Sequence, residues 1–214
     1  MIRYHAVVFD FDSTLSAIEG VEWIAARVGP AEAAAIAEEV NAAMAGKIPL
    51  EAIYAARMTR IRPSAQDLAE LGDAYRDNVA PGAHEVIQRL RDAGVVMHVV
   101  SGGFREGLLP LALDLGFAKS EVHAVSIHSN PDGSYKGFDT HSPLVTQLGK
   151  LDVVASLGLP SPALMVGDGA TDAAARPSVD AFAAYTGFVQ RDAVVRVADH
   201  VVTSFEEIES LVIG

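Results

Sequence analysis

Short runs of β-branched and apolar residues alternate with stretches of helical spacing along most of this 214-residue chain. Three of the runs, residues 5–9, 95–100 and 163–166, have the composition of buried strands. Two later runs, residues 179–184 and 199–202, are predicted to be edge strands. Because helical stretches separate the runs, we expect crossover connections and therefore a parallel sheet flanked by helices. The helices predicted beside this sheet are residues 83–92, 105–115, 151–157 and 205–212.

One long segment interrupts the alternation. Residues 15–78 contain no convincing strand, only sequence of helical spacing, much of it rich in Ala and Glu, with Pro49 and Pro63 where helices should begin. We predict a helical cap over residues 15–78, inserted after the first strand into a core of residues 1–14 and 79–214. The helices predicted in the cap are residues 31–44, 50–61 and 64–78.

A second irregular segment covers residues 122–138. Its sequence Asn-Pro-Asp-Gly at residues 130–133 is a strong turn signal, which predicts a β-hairpin.

Composition restricts the function. The formal net charge is −12, and no Lys/Arg cluster offsets it, so neither nucleic acid nor an anionic membrane is an expected partner. The absence of cysteine excludes disulfides, thiolate nucleophiles and Cys-based zinc sites. No stretch approaches the roughly 20 apolar residues of a membrane span, and the first apolar run is too short for a signal peptide. We therefore expect a soluble, cytoplasmic protein.

Two aspartates follow the first predicted strand. Asp10 and Asp12 stand at its carboxyl end, where ligands bind in an open parallel sheet. Two carboxylates at this spacing suit phosphoryl transfer, with Asp10 attacking phosphorus and Asp12 protonating the leaving oxygen and later activating water. A polar strand exit with a Ser/Thr cap is the alternative interpretation of the same residues.

A second acidic motif follows the strand predicted at residues 163–166. Asp168 and Asp172 are expected at the same edge of the sheet as the first two aspartates. Four converging carboxylates would repel strongly unless a cation neutralised them. Oxygen-only ligands in a chain without cysteine indicate Mg²⁺ rather than zinc. A helix-capping turn is the alternative, but it explains only one of these aspartates.

Two further sites complete the pattern. Ser101 can donate its hydroxyl to a phosphate, and Gly102 leaves its backbone N–H approachable at the start of a helix, although Ser-Gly-Gly is also an ordinary N-cap. Lys150 precedes a predicted helix, where the helix dipole disfavours a cation. It is either an exposed lysine or a clamp on phosphate and on Asp10.

In this order, the motifs resemble those of the haloacid dehalogenase superfamily. The matching residues are Asp10, Asp12, Thr14, Ser101, Lys150, Asp168 and Asp172. The resemblance implies an α/β fold with a Rossmann-like core and an aspartyl-phosphate intermediate on Asp10. It also implies Mg²⁺ bound by Asp10, by the backbone carbonyl of Asp12 and by Asp168, with Asp172 close by.

Within that superfamily, the chain resembles the phosphoserine phosphatase family over nearly its whole length, in an eukaryotic-type form without an added regulatory domain. The matching stretches include residues 9–15, 19–20, 44–46, 81–85, 99–104, 137–139, 167–172, 180–182 and Arg191. The sequence departs from the family pattern at Leu50, Asp152 and Phe188.

Two cap residues bear on the substrate that this resemblance implies. Glu19 matches the glutamate that recognises the amino group of serine, and Arg57 matches the arginine that binds its carboxylate. An ammonium and a carboxylate on one ligand require an acid and a base opposite them. Thr171 is also expected at the substrate. Glu19 could instead be a first-turn acid of a helix, and Arg60 or Arg62 could take the place of Arg57.

The function predicted from these residues is Mg²⁺-dependent hydrolysis of O-phosphoserine to serine and phosphate. One alternative is hydrolysis of another small phosphate monoester, such as phosphoethanolamine or a sugar or methionine-salvage phosphate. A second is transfer of the phosphate to an alcohol such as homoserine, and a third is a non-catalytic binding protein. The expected partner is therefore a small phosphorylated metabolite, with a homodimer as a possible assembly.

Overall fold

Six parallel strands form the central sheet in the computed structural model, which describes residues 1–214. The strands of the chain are β1 (Ala6–Phe9), β2 (Val96–Phe104), β3 (Val122–Val125), β4 (Ile127–Ser129), β5 (Tyr135–Phe138), β6 (Ala163–Gly167), β7 (Ala181–Tyr185) and β8 (His200–Val202). Their order in the sheet is β3-β2-β1-β6-β7-β8, while β4 and β5 pair as a separate antiparallel hairpin. The predicted α/β fold with a parallel sheet is confirmed.

Two predictions about the strands were wrong in detail. β7 was expected at an edge, but it lies between β6 and β8 and all five of its residues are buried. Residues 122–125 were assigned to the hairpin, but they form the edge strand β3 of the main sheet. The turn at residues 130–133 connects only the short hairpin of β4 and β5. Residues 122–125 do not join that hairpin, and Val122 and Val125 are buried.

Ten α-helices surround the sheet. They are α1 (Gly20–Val28), α2 (Pro30–Met44), α3 (Tyr54–Ile61), α4 (Ala65–Asp77), α5 (Ala83–Asp92), α6 (Arg105–Asp114), α7 (Gly149–Ser156), α8 (Ala170–Ala174), α9 (Asp192–Val195) and α10 (Phe205–Ile213). None of them combines the length and the apolar character needed to cross a membrane.

Helices α1 to α4 form the helical insert after β1, as predicted, although α1 was not among the helices read from the sequence. Proline and capping residues set the starts of two of them. Pro30 occupies the first turn of α2, where its missing N–H costs no hydrogen bond. Ser64 caps α4 by accepting a hydrogen bond from the backbone N–H of Asp67, whose carboxylate accepts one in return from the backbone N–H of Ser64.

Helix α4 joins the insert to the core. Its residue Tyr75 is fully buried and packs edge-on against Phe11, with the ring centroids 4.9 Å apart. α4 also packs closely on α6, where a Cβ at Gly107 would lie 2.8 Å from Leu71 Cδ2. The last helix of the insert therefore packs both on the segment that follows β1 and on α6. The division into a core of residues 1–14 and 79–214 and a cap of residues 15–78 stays a prediction.

Candidate active site

The carboxyl ends of three neighbouring strands open into one pocket. β1 lies between β2 and β6, and the register aligns Phe9 with Val99 on one side and with Val166 on the other. The residues that follow these positions therefore reach the same edge of the sheet, at the point where the strand order reverses. Of the ten residues predicted for the site, nine line this pocket: Asp10, Asp12, Glu19, Arg57, Ser101, Gly102, Lys150, Asp168 and Thr171. The tenth, Asp172, is fully buried behind it.

Lys150 links two of the aspartates. Its ammonium lies 2.6 Å from Asp10 Oδ1 and 2.5 Å from Asp172 Oδ1. Burial alone would lower the pKa of Lys150, but the two carboxylates outweigh it and raise the pKa above its ordinary value. The lysine therefore stays charged. It stands in the first turn of α7, which begins at Gly149, two residues before the predicted start at residue 151, and it is buried rather than exposed.

Asp172 supports both interpretations offered for its motif. One of its oxygens accepts the Lys150 ammonium, and the other accepts a 2.9 Å hydrogen bond from the backbone N–H of Gly169 at the start of α8. It therefore caps the helix and contributes to the site. Burial, followed by the charge of Asp10, raises the pKa of Asp172 to about 7.

Asp12 is held in place by two hydrogen bonds. Its Oδ1 accepts one from the backbone N–H of Gly20 at 2.8 Å and one from the hydroxyl of Tyr75 at 2.5 Å. Burial is the main cause that raises the pKa of Asp12 to about 6, with a contribution from the charge of Asp10, while the Tyr75 hydrogen bond opposes the rise. A carboxyl in this range can give up and take back a proton near neutral pH.

Glu19 faces the pocket and does not cap α1. It occupies the residue before the helix, but its side chain makes no capping hydrogen bond. Instead, Glu19 Oε1 accepts a 2.7 Å hydrogen bond from the hydroxyl of Ser13, a residue whose backbone is left-handed, with φ of 52°. Burial and the charge of Asp12 raise the pKa of Glu19 to about 8. An incoming cation would favour its ionised form.

The three candidate arginines, two on α3 and one at its C-terminal end, lie in different surroundings. Arg57 is only 4% exposed and lines the pocket, and no carboxylate lies within ion-pair distance of it. Burial lowers the pKa of Arg57, although not enough to discharge a guanidinium. Arg60 points outward to Glu32 and Glu39, at 2.5 and 2.7 Å. Arg62 lies over the ring of Tyr135, outside the pocket.

The prediction for Ser101 and Gly102 was wrong about the backbone. Both residues belong to β2, which continues to Phe104, so Gly102 does not start a helix. The pairing of β2 with β3 is irregular between Val100 and Phe104, which leaves this part of the strand free to line the pocket. The next residue must be glycine for steric reasons, because a Cβ at Gly103 would lie 2.7 Å from Asp12 Oδ2.

Three carboxylates could hold a metal ion. Asp10, Asp168 and Asp172 each offer an oxygen within 4.8 Å of the others, and all three are buried. Buried carboxylates so close together require positive charge, and Lys150 and Arg191 supply only two cations for three carboxylates. A donor set made of oxygen alone fits a hard divalent cation. The residues present therefore fit the metal that the sequence predicted.

Several residues of the site had not been assigned a role from the sequence. The guanidinium of Arg191 contacts the carboxylate of Asp168 and lies 3.8 Å from Glu19 Oε1, whereas the sequence had marked Arg191 only as a family match. Tyr75 lies 63 residues from the aspartate that it contacts. The cap also supplies an apolar wall, whose residues are Val21, Val40, Met44, Leu50 and Tyr54. No local pattern identifies such contacts, because they join residues that are far apart in the sequence.

Known proteins with the same arrangement identify the family. Residues 7–176 match the family described as haloacid dehalogenase-like hydrolase. The chain is 34% identical to the chloroplastic phosphoserine phosphatase of Arabidopsis thaliana, over 95% of this chain and 70% of that protein. It is also 34% identical to the phosphoserine phosphatase of Bos taurus, over 95% of this chain and 91% of that protein.

A solved structure agrees with these relatives. The phosphoserine phosphohydrolase-like protein from Francisella tularensis superposes with a TM-score of 0.88 at 28% identity, and the match covers 96% of this chain and 98% of the other. The two proteins therefore share their fold over nearly the whole of both chains. The chain belongs to the haloacid dehalogenase-like hydrolases and, within them, is a phosphoserine phosphatase-like hydrolase.

Proposed function

We propose that this enzyme hydrolyses O-phosphoserine to serine and inorganic phosphate, with Asp10 as the nucleophile and Mg²⁺ as the metal. The observation that carries the proposal is the presence of one basic and one acidic side chain from the helical insert in the pocket. Arg57 offers a buried guanidinium without a carboxylate partner, and Glu19 offers a carboxylate. A ligand with an ammonium, a carboxylate and a phosphate would satisfy both residues, while its phosphate reaches Asp10.

The first step follows from the geometry of the two aspartates. A carboxylate oxygen of Asp10 attacks phosphorus, and the bond between phosphorus and the seryl oxygen breaks. Asp12, whose pKa burial raises to about 6 so that a fraction of it keeps its proton near neutral pH, gives that proton to the seryl oxygen as serine leaves. Lys150, only 2.6 Å from Asp10, keeps the nucleophile oriented and offsets negative charge beside it.

The second step regenerates the enzyme. Asp12, now ionised, takes a proton from a water molecule, whose oxygen attacks the phosphorus of the aspartyl-phosphate. The bond between phosphorus and the Asp10 oxygen breaks, which releases phosphate and restores the carboxylate. Ser101, Gly102 and Thr171 line the pocket and would hold the phosphate oxygens during both steps.

Mg²⁺ would be held by Asp10 and Asp168, with the backbone carbonyl of Asp12 as a further ligand and Asp172 close by. When bound, the metal supplies positive charge that stabilises the phosphoryl group during transfer. The cytoplasmic location and a homodimeric assembly stay predictions.

The test compares two arginines of the same helix, with phosphate release from O-phospho-L-serine as the readout. Replacing Arg57 by Ala removes a charge-assisted contact to the substrate, so we expect kcat/KM to fall about 10- to 150-fold. Arg60→Ala is the matched control, because Arg60 faces outward and forms exposed ion pairs, and we expect its kcat/KM to equal that of wild type. Equal kinetics for Arg57→Ala and wild type would remove phosphoserine as the substrate while leaving a phosphatase.

A further inference from the structure

Tyr54 is a cap residue that touches both parts of the pocket. It is the first residue of α3 and is 4% exposed. Its hydroxyl donates a 3.1 Å hydrogen bond to the backbone carbonyl of Gly102, on the core strand β2. Its ring also lies beside Arg57, whose Cζ is 5.8 Å from the ring centroid. One side chain therefore joins the backbone expected at the phosphate to the guanidinium expected at the carboxylate.

The hydrogen bond to the Gly102 carbonyl fixes the orientation of the Tyr54 side chain. A buried phenol needs a partner, since an unsatisfied hydroxyl in an apolar site costs about 1–3 kcal/mol. The Gly102 carbonyl lies in the stretch of β2 where pairing with β3 is irregular. The Tyr54 ring also packs against Phe138 of the hairpin, with the ring centroids 5.3 Å apart, which further restricts its orientation. An apolar side chain could fill this space, but it could not anchor α3 to that carbonyl.

The position of Tyr54 on α3 also constrains Arg57. Residues three apart on a helix share a face, so the ring and the guanidinium point to the same side. A cation beside an aromatic face is attracted to it, which limits the orientations that an otherwise unpaired arginine can adopt. The ring therefore helps to keep the guanidinium in the pocket in the absence of an ion-pair partner.

We propose that Tyr54 is a positioning residue that sets the separation between the Arg57 guanidinium and the Gly102 backbone, and thereby favours substrates that carry a carboxylate at a matching distance from the phosphate. This inference rests on the proposed function. A substrate that uses both contacts depends on their separation. A substrate without a carboxylate, such as O-phosphoethanolamine, does not.

The kinetic test uses Tyr54→Phe, which removes the hydroxyl and keeps the ring. We expect the KM for O-phospho-L-serine to rise about three- to tenfold, the size of one lost hydrogen bond, with kcat within about twofold of wild type. The KM for O-phosphoethanolamine should change by less than about twofold. Tyr135→Phe is the matched control, because Tyr135 also lies beside an arginine, Arg62, but outside the pocket. An unchanged KM for phosphoserine, or an equal rise for both substrates, would overturn the inference.

Hydrogen exchange tests the contact without using activity. In Tyr54→Phe, amides of residues 50–57 and 101–104 should exchange faster than in wild type, and in Tyr135→Phe they should not. Unchanged exchange in Tyr54→Phe overturns the inference whatever the substrate. If exchange rises but the wild-type enzyme releases no phosphate from phosphoserine, the proposed function fails and the anchoring role of Tyr54 stands.

Discussion

Asp12 depends on Tyr75 for its orientation, although the two residues are far apart in sequence. The Tyr75 hydroxyl and the Gly20 backbone N–H bind the same oxygen of Asp12, which leaves the other oxygen toward the pocket and close to Gly103. An acid that is held by two donors is aligned for proton transfer before the substrate arrives. Even a small displacement of such a group lowers the reaction rate.

Removing the Tyr75 hydroxyl should therefore slow the reaction. In Tyr75→Phe we expect kcat to fall about tenfold, with KM within about twofold of wild type, because Asp12 acts in the transition state rather than in ground-state binding. Steady-state kinetics of phosphate release measures both constants. Tyr4→Phe is the control, since the Tyr4 hydroxyl also meets a single side chain, His200, but lies outside the pocket. A Tyr75→Phe enzyme with the kcat of wild type would refute this role.

Residues next to a strand end could be predicted from the sequence, and residues brought in by the insert could not. Asp10 and Asp168 follow buried strands directly, and the parallel order of the sheet is enough to bring them together. Arg57 could only be proposed from a resemblance, with Arg60 and Arg62 left open. The choice among them depends on which face of α3 turns toward the sheet, and this is decided by packing rather than by spacing.

The start or end of a helix could be predicted where the residues that determine it are close together in the sequence. Helix α4 begins where Pro63 and the Ser64–Asp67 capping pair indicate. The sequence alone could not show that β7 lies inside the sheet or that residues 122–125 belong to the main sheet. Both features depend on which strands become neighbours. An apolar run reads alike at the edge and in the middle of a parallel sheet.

The Ser64 cap should contribute to the stability of the protein. Ser64→Ala leaves the N–H of Asp67 without its side-chain acceptor, so we expect the free energy of unfolding to fall by about 1 kcal/mol in urea denaturation. Thr59→Ala is the control, because the Thr59 hydroxyl bonds only the carbonyl of Ala55 on the exposed face of α3, where such a bond adds little. Equal losses in the two variants would contradict a specific capping effect.

At the scale of the whole molecule, the pH dependence of stability should include a contribution from a pair of histidines that do not line the pocket. His98 on β2 and His123 on β3 lie side by side, with Nδ1 of the first 3.2 Å from Nε2 of the second. Burial lowers the pKa of both, and for His123 the neighbouring His98 and Arg105 lower it further, whereas Glu121 opposes the shift for His98. The folded protein therefore resists protonation of this pair.

The sign of the effect follows from the lowered pKa values. Below about pH 6.5 the unfolded chain binds protons that the folded chain does not, so stability is full above that pH and falls as the pH drops through the lower, folded pKa values. We expect His123→Gln to lose less unfolding free energy than wild type between pH 7.5 and 5.5. His141→Gln, at an exposed histidine, should keep the wild-type pH dependence. An unchanged slope in His123→Gln would contradict the prediction.

The function of the whole molecule depends on the insert and the sheet together. The strand ends supply Asp10 and Asp168 and helix α7 supplies Lys150, a set that suits any small phosphate ester, whereas the helical insert supplies Glu19 and Arg57, which would select among such esters. In the proposed function, the phosphatase chemistry and the choice of substrate therefore belong to different parts of the chain, and a substrate comparison tests the insert specifically.

The most direct test is phosphate release by the wild-type enzyme with Mg²⁺, from O-phospho-L-serine and from O-phosphoethanolamine under the same conditions. The two esters share a phosphate and an ammonium and differ in the carboxylate that Arg57 would bind. We predict a kcat/KM for phosphoserine that is about 10- to 150-fold higher, the value of one charge-assisted contact. Equal kcat/KM for the two esters, or a preference for phosphoethanolamine, would contradict the account of the cap and of the substrate.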